Sequence, residues 1–452
     1  MKLALWLSVL YWVVSGPLLA RDTWIVAQDG SGDFLQIQDA VDAASPGDLI
    51  LVKPGTYLAV WVDKPLSIVG SGEDRTVVIA DYDHGRPTPI FVRFSDQPGD
   101  FLVASLKSSG QGSLWVSNYY HPSSRAIVWR ITFDPDSVQV DGTACALGGL
   151  DAAWVSNCSV GITGMYGWGD PVSPALRVSY LGQAFVSDCY LEAMDAEPIN
   201  WTANGGQGIF VAEDATAYIT ETDAIGGDGG FGYHMFCSAW YAGGRGGHGI
   251  EVGEDAKAYI VSRLNCEVRA GNGGIGADSD PTCEDAPGGD GGDGIIAVES
   301  GALATYAGVV PMPGEGGAGN PPGEPGLPTR GNVTVGSLWP TSTMQGDGKP
   351  GTVATFSFHG EPGDALRIAY STYPDVIPLP RFEGPPLIPS PQGAFGVLPA
   401  GVIPPSGKAS FSFTIPTDAP VGDPFYVQGI LIGPGHAPQL TNMSMLVITP
   451  GW

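Results

Sequence analysis

Short apolar runs, each ended by glycine, proline or a polar turn, recur along the first three hundred residues. Their length of three or four residues predicts strands of a parallel sheet, which are apolar almost throughout when both faces are covered. The clearest of these runs are Leu49–Val52, Val77–Ile79, Ala126–Trp129, Ala184–Val186 and Ile209–Val211. Before the first run, Ile37, Val41 and Ala44 follow the helical period, and Pro46-Gly47 ends that segment. A helix there would cap the first coil of a solenoid.

Two internal repeats support stacked coils. The segment 208–219 recurs at 249–260, and a looser copy begins at Gly294. A second pair of copies places Cys158 and Cys189 at matching positions. Periods of this size are typical of stacked supersecondary units. Because a bare coil needs only about twenty-odd residues, we expect the excess to leave the stack as glycine-rich loops at 226–247 and 271–294.

The pattern changes in the last third of the chain. Residues 311–332 are rich in proline and glycine, which indicates a linker or a last frayed coil. Residues 333–452 contain about seven short strands, several of them alternating, which predicts an antiparallel sandwich of immunoglobulin or fibronectin III type. This part is similar to C-terminal sandwich modules of large exported bacterial proteins, and that likeness implies attachment or display. The solenoid would then span 21–310.

The N-terminal residues and the net charge bear on location and partners. Residues 1–20 contain one charge, a long apolar run and a small residue at the end, which predicts a secretory signal peptide. No later run is long and apolar enough for a membrane span. The formal net charge of -27 disfavours nucleic acid and anionic surfaces as partners. We therefore expect a secreted or cell-surface protein.

The N-terminal segment carries a family resemblance. Asp29–Phe34, the helix, the turn and Gly55-Thr56-Tyr57 resemble the start of pectin methylesterases and pectate lyases. The resemblance covers about residues 24–80 and implies a right-handed parallel β-helix, so the expected fold class is all-β, a solenoid followed by a sandwich. Ala59 stands where the esterases have glutamate, and their three catalytic segments are absent. Esterase activity is therefore disfavoured.

Three sets of residues are candidates for chemistry. An acidic cluster with a nearby base would suit a polysaccharide lyase, although a solvated acidic turn is the favoured explanation; it comprises Asp151, Arg177, Glu192, Asp195 and Glu197. Aromatic residues in two loops would stack on sugar rings or fold back into small clusters; they are Tyr166, Trp168, Phe231, Tyr233, Trp240 and Tyr241. Asp290 and Asp293 fit one copy of a calcium-binding nonapeptide or a plain glycine-rich corner.

Four of the six cysteines have predicted roles. Cys158 and Cys189, at matching places in neighbouring coils, are expected to be buried thiols, whereas Cys237 and Cys283 are the better disulfide candidates.

The sequence leaves three functions open. The first is a non-catalytic protein that binds an extracellular polysaccharide or has a structural role at the cell surface. The second is a divergent polysaccharide lyase or glycoside hydrolase, and the third is an adhesin for another protein. Carboxylates converging on one outer face beside a basic residue would favour the enzyme.

Overall fold

The fold is known from a computed structural model. It describes residues 21–93, 98–110, 112–118, 123–134, 143–160, 173–196, 203–232, 242–276, 286–389 and 395–452. The predicted signal peptide, residues 1–20, lies outside the described residues.

Parallel strands form a β-helix with three faces. The first face contains β1 (Thr23–Val26), β2 (Leu49–Val52), β5 (Ser67–Val69), β8 (Asp100–Ser109), β10 (Arg125–Asp134), β12 (Ala152–Ser156), β15 (Gln183–Ser187), β18 (Thr216–Thr220), β21 (Lys257–Val261), β24 (Leu303–Ala307) and β27 (Val333–Val335). The long strands β8 and β10 turn the corner onto the second face. Its other strands are β3 (Gly55–Leu58), β6 (Thr76–Ile79), β13 (Ser159–Val160), β16 (Tyr190–Glu192), β19 (Asp223–Ile225), β22 (Glu267–Arg269) and β25 (Val310–Met312).

In the part of the chain that the structure describes, the third face is a separate sheet of nine strands. They are β4 (Val60–Val62), β7 (Ile90–Arg93), β9 (Leu114–Ser117), β11 (Cys145–Gly148), β14 (Leu176–Ser179), β17 (Ile209–Ala212), β20 (Ile250–Val252), β23 (Ile295–Ala297) and β26 (Thr329–Gly331). Alternate side chains of each strand point into the solenoid, where Val, Ile, Leu and Ala form one continuous core.

The sequence repeats stack in register. Ile209 pairs with Ile250, and Ile219 pairs with Ile260, so equivalent residues of the two copies lie directly above one another. The looser third copy continues the column, since Ile250 pairs with Ile295. The predicted stacking of coils is confirmed.

The predicted cap helix is also present, as α1 (Ile37–Ala43), and its residues Ile37, Ala40 and Val41 are buried on the first coil. Lys64 Nζ donates to the carbonyls of Val41 and Ala44, which satisfies the C-terminal end of the helix. A single 3-10 turn, Tyr82–His84, follows β6. The N-terminal opening of the solenoid is therefore covered by apolar side chains.

The prediction of a linker at 311–332 is wrong, and the alternative, a last coil, is what the structure contains. β25 pairs with β22, β26 with β23, and β27 with β24, all in parallel. The prolines of this segment hid the strands from a sequence reading, because proline cannot donate to a ladder. They are tolerated here because the strands are at the end of the stack.

The glycine-rich segments form an ordered lattice rather than irregular loops. The glycine lattice comprises segments 193–196, 203–208, 226–232, 243–248, 270–276, 286–294, 313–319 and 320–328, which leave the second face and return to the third. Their hydrogen bonds recur every third residue, as in Gly243, Gly246 and Gly249 donating to Pro287, Asp290 and Asp293 carbonyls. A three-residue repeat without internal hydrogen bonds is the geometry of polyproline II.

Glycine is required in this lattice by close approach. A Cβ built on Gly244 would lie 1.8 Å from the Ala203 carbonyl oxygen, and one on Gly227 would lie 1.9 Å from that of Met194. Neither residue has a positive φ, so the requirement is steric and not conformational. The Gly-Gly-x spacing places the two glycines against neighbouring segments and the third residue outward.

The C-terminal strands form antiparallel sheets. One sheet contains β28 (Thr341–Gln345), β29 (Val353–His359) and β34 (Lys408–Thr414); the other contains β33 (Gly396–Val402), β30 (Ala365–Ser371), β35 (Pro424–Ile432) and β36 (Gln439–Val447). A small pair, β31 (Pro374–Ile377) and β32 (Leu387–Pro389), completes the sandwich.

The sandwich lies on the outer side of the first face. Outward side chains of the solenoid form one apolar cluster with sandwich residues; they include Leu51, Ile127, Trp129, Trp154, Met344, Tyr426 and Met445. The rings of Trp154 and Tyr426 are 6.4 Å apart between centroids. Trp129 and Trp154 are completely buried by this contact. The first face is therefore covered over much of its length and cannot present a ligand groove there.

Candidate functional site

The predicted acidic cluster does not form one site. Arg177 lies on the third face, where its guanidinium is 3.6 Å from a carboxylate oxygen of Glu213. Glu192 lies on the second face and accepts the hydroxyl of Tyr190 at 2.8 Å. Asp151 is an exposed turn residue, and Glu197 lies outside the described residues.

Asp195 has a structural role in the glycine lattice. Its Oδ1 accepts the backbone N–H of Asp228 at 2.7 Å, and burial raises the pKa of its carboxyl. Asp228 accepts Asn272 N–H, and Asn272 accepts Glu315 N–H in the same way. These side chains supply acceptors to outward residues whose N–H groups have no lattice carbonyl.

The two calcium candidates are likewise used by the lattice. Asp290 Oδ1 accepts Glu324 N–H at 2.8 Å. Asp293 is fully buried. Its Oδ2 lies 3.2 Å from Arg245 and 3.0 Å from Arg330, and these two guanidinium groups place positive charge beside the carboxylate. Burial lowers the pKa of the neighbouring His248 to about 4, so that ring is neutral at pH 7. Within the described ranges, no group of three or more His, Cys, Asp or Glu is arranged to hold a metal ion.

Of the predicted aromatic residues, only Phe231 is described. It is an outward residue of the glycine lattice and is 42% exposed. Tyr166, Trp168, Tyr233, Trp240 and Tyr241 lie outside the described residues.

The cysteines that the structure describes are free thiols. Cys158 and Cys189 are both buried inside the solenoid, as the matching sequence copies predicted. Cys145 is a third buried thiol, and burial raises the pKa of Cys145, Cys189 and Cys266. Cys237 and Cys283 lie outside the described residues, so their predicted disulfide stays a prediction.

The third face, on which the sandwich does not pack in the described residues, carries a column of outward side chains that the sequence did not single out. Each strand of this face contributes its second residue, and pairing places them in one line from coil to coil. In order they are Trp61, Phe91, Trp115, Ala146, Arg177, Phe210, Glu251, Ile296 and Arg330. Neighbouring members are about 4.8 Å apart along the solenoid axis.

The first three members form an aromatic strip. The ring centroids of Trp61 and Phe91 are 5.5 Å apart, and those of Phe91 and Trp115 are 6.4 Å apart. Trp61 is 51% exposed and Trp115 is 39% exposed, which are large fractions for tryptophan. The Trp61 and Phe91 planes are inclined at 40°, so the rings are tilted and part of each face remains open.

The strip is held firmly at its N-terminal end. The Gln38 side chain of α1 accepts the backbone N–H of Trp61 at 2.8 Å and donates to the Trp61 carbonyl at 3.2 Å. These two bonds take the place of a neighbouring strand on the edge side of β4. The guanidinium of Arg86 lies 5.5 Å from the Trp61 ring centroid and also donates to Gln38. The exposed tryptophan is thus attached to a fixed backbone.

The middle of the column is charged. The Arg177 guanidinium lies 5.3 Å from the Phe210 ring centroid. One coil further, Glu251 Oε2 accepts the Gln207 amide at 2.9 Å. Burial raises the pKa of the Glu251 carboxyl, and the negative charge of Glu299 adds to the rise. The Glu251 carboxyl therefore keeps its proton to a higher pH than an exposed glutamate does.

Comparisons with known proteins identify no family for this chain. No family model matches it, and no curated protein matches it. Among solved structures, it is similar to "Pectin methylesterase from Carrot" at 12% identity, with 72% of this chain and 90% of that chain covered and a TM-score of 0.25. It is also similar to "alginate lyase from Paenibacillus sp. str. FPU-7" at 13% identity, with 66% and 96% covered and a TM-score of 0.23. The parallel strand pairing of the chain itself establishes the β-helix.

The described residues contain no helix with the length and apolar character that crossing a membrane requires.

The aromatic strip escaped the sequence reading for a physical reason. Its rings stand between inward residues in Val60-Trp61-Val62, Ile90-Phe91-Val92 and Leu114-Trp115-Val116. All three positions are apolar, so the alternation of buried and exposed side chains is invisible in hydropathy. The recurring pattern of an aromatic residue between two aliphatic ones was the signal that could have revealed it.

Proposed function

We propose that the third face binds an extracellular polysaccharide lengthwise, with the aromatic strip Trp61–Phe91–Trp115 as its main contact. The observation that carries the proposal is the exposure of Trp61 and Trp115 on the face that the sandwich leaves free. Exposed aromatic rings in a line offer apolar surface to successive sugar rings, whereas isolated exposed rings do not. Export through the leader at 1–20 would bring the protein to such a ligand.

The net charge of the chain limits the classes of glycan that it can bind. At a formal net charge of -27, a polyanionic glycan is repelled at low salt. The ligand that fits best is a neutral or esterified glycan, with apolar ring faces and hydroxyl groups.

The test is binding of the full chain to a panel of neutral, esterified and acidic polysaccharides by affinity electrophoresis and calorimetry. Each ring that a sugar covers contributes about 1 kcal/mol, so the double variant Trp61→Ala/Trp115→Ala should weaken binding by about 30-fold. The matched control is Tyr190→Ala, which removes a similarly exposed ring from the second face. Equal affinity of the double variant and the control would refute the proposal.

A second candidate, cleavage of the bound glycan, is favoured by Glu251. Glycoside hydrolysis uses one carboxylic acid to protonate the leaving oxygen and a second carboxylate to activate water. Glu251 has a raised pKa, and Glu299 is the carboxylate whose charge contributes to it. In this reaction Glu251 would protonate the glycosidic oxygen as its bond to the anomeric carbon breaks, and water, losing a proton to Glu299, would bond to that carbon.

Product analysis separates the two candidates. New reducing ends from the wild type, lost in Glu251→Gln without loss of binding, would support cleavage. Intact polymers across the panel would exclude it and leave binding as the function.

A further inference from the structure

Two carboxylates lie between the solenoid and the sandwich; Glu221 is buried, and Asp188 is half-buried with its Oδ2 covered. Asp188 and Glu221 follow Ser187 and Thr220, which are paired on the first face, so they occupy the same corner of consecutive coils. Both have positive φ, 55° for Asp188 and 45° for Glu221. This conformation is unfavourable for residues other than glycine. It turns both side chains toward β28 of the sandwich, which contacts each of them.

Glu221 is fully satisfied. Its carboxylate accepts the Ser262 hydroxyl at 2.8 Å, the Arg263 N–H at 2.9 Å and the Leu264 N–H at 3.2 Å. The Thr341 hydroxyl, from β28, donates to the same carboxylate. The Thr341 bond connects the two domains at this corner, and the other three bonds lie within the solenoid.

Asp188 is not satisfied. The backbone N–H of Met344 is its contact with the sandwich, and among the described residues its buried Oδ2 has no hydrogen-bond partner. A carboxylate oxygen without a partner in such a place is unfavourable when charged, and the charge of Glu221 makes it more so. Burial, followed by the charge of Glu221, raises the pKa of Asp188 well above its usual range.

The other ionisable groups here are few. His359 of β29 is buried with its Nε2 unpartnered among the described residues, and burial lowers its pKa. Cys266 lies 3.6 Å from Glu221, and burial raises its pKa to about 12. The Arg263 guanidinium is directed to the Leu338 and Trp339 carbonyls and to Glu361. Lys408 of β34 pairs with His359 through the backbone. No described cation forms an ion pair with Asp188.

We propose that Asp188 is a proton-controlled latch beside Glu221, in which a proton on Asp188 tightens the docking of the sandwich on the solenoid and the loss of that proton loosens it. With the proton on Asp188, one negative charge is removed from this corner of the interface. Without it, two negative charges remain at one interface corner. The second group that titrates there, His359, acts in the opposite direction.

The direction of the pH dependence follows from the two shifts. The folded pKa of Asp188 is raised above its unfolded value of 3.8, so its cost is absent below that value and grows as pH rises through the folded pKa. The folded pKa of His359 is lowered from 6.5, so its contribution is lost as pH falls below 6.5. Docking is therefore strongest in weakly acidic solution.

Hydrogen–deuterium exchange of the full chain tests the latch. The peptide containing β28 reports docking, because Thr341 and Met344 contact the two carboxylates. After correction for intrinsic rates, its exchange in the wild type should rise at least about tenfold between weakly acid and weakly alkaline pH. In Asp188→Asn this rise should disappear and alkaline protection should increase. In the wild type, exchange of this peptide should also rise as pH falls below 6.5, because His359 then loses its contribution. His359→Gln should lose this acid rise and keep the alkaline one.

The matched control is Glu361→Gln, which removes an exposed carboxylate from the same interface and should keep the wild-type profile. A wild-type profile in Asp188→Asn, and also in Asp188→Ser should the asparagine variant fold poorly, would overturn the proposal. So would a wild-type profile that does not change with pH.

Discussion

Gly244 provides the sharpest test of the glycine lattice. Its N–H donates to the Gly230 carbonyl at 2.7 Å, and its own carbonyl accepts from Gly274 at 2.8 Å. In Gly244→Ala the new Cβ would lie 1.8 Å from the Ala203 oxygen, so that carbonyl must retreat by roughly 1.5 Å to reach ordinary contact. The retreat breaks the bond that Ala203 accepts from Gly230. Overpacking costs about 1–3 kcal/mol, and the lost hydrogen bond adds about 1 kcal/mol.

The expected loss is therefore about 2–4 kcal/mol in the free energy of unfolding. Urea denaturation measures it, and hydrogen exchange of the peptides at 226–232 and 270–276 shows whether the loss is in the lattice. The control is Gly435→Ala, since a Cβ there meets nothing within 4 Å and the residue has no positive φ. A Gly244→Ala variant as stable as Gly435→Ala would show that these segments are not packed as described, and the steric account of the lattice would fail.

Three further predictions concern packing, charge and thiols. Trp154→Ala should cost about 3–5 kcal/mol in urea denaturation because Trp154 is completely buried under the sandwich, whereas the exposed Trp115→Ala should cost under about 1 kcal/mol; equal losses would contradict the docking. Asp293→Ala should lower the free energy of unfolding by about 1–3 kcal/mol, and Asp293→Asn should lower it less because asparagine keeps an acceptor for the Leu327 N–H. Thermal unfolding compares the two variants, and equal midpoints would refute the hydrogen-bonding role. Cys158 and Cys189 should resist a thiol reagent in the native protein and react in urea, as peptide mass spectrometry would show; native labelling would place them at the surface.

The sequence predicted candidate residues that are close together in the chain, and it did not predict those that the fold brings together. The sequence named the aromatic loops and an acidic cluster, because rings and carboxylates close together in the chain are visible without a structure. The strip Trp61–Phe91–Trp115 is assembled from residues about 25 to 30 positions apart. Only the pairing of β4, β7 and β9 brings these rings together. Arg177 was named for its closeness to Glu192 in sequence, yet the two residues are on different faces.

The sequence by itself determined the parallel β-helix, its cap helix, the stacked repeats and the change to antiparallel strands. Each of these follows from local patterns: short apolar runs, a helical period, copies at a fixed offset, and alternation between turns. The tertiary structure decided that 311–332 forms the last coil of the β-helix and that the glycine runs pack as a lattice. It also decided which face the sandwich covers. Those outcomes depend on contacts between distant segments, as in the burial of Trp129 and Trp154 by the sandwich. A hydropathy pattern shows that a side chain prefers to be buried, but only the assembled faces decide what buries it.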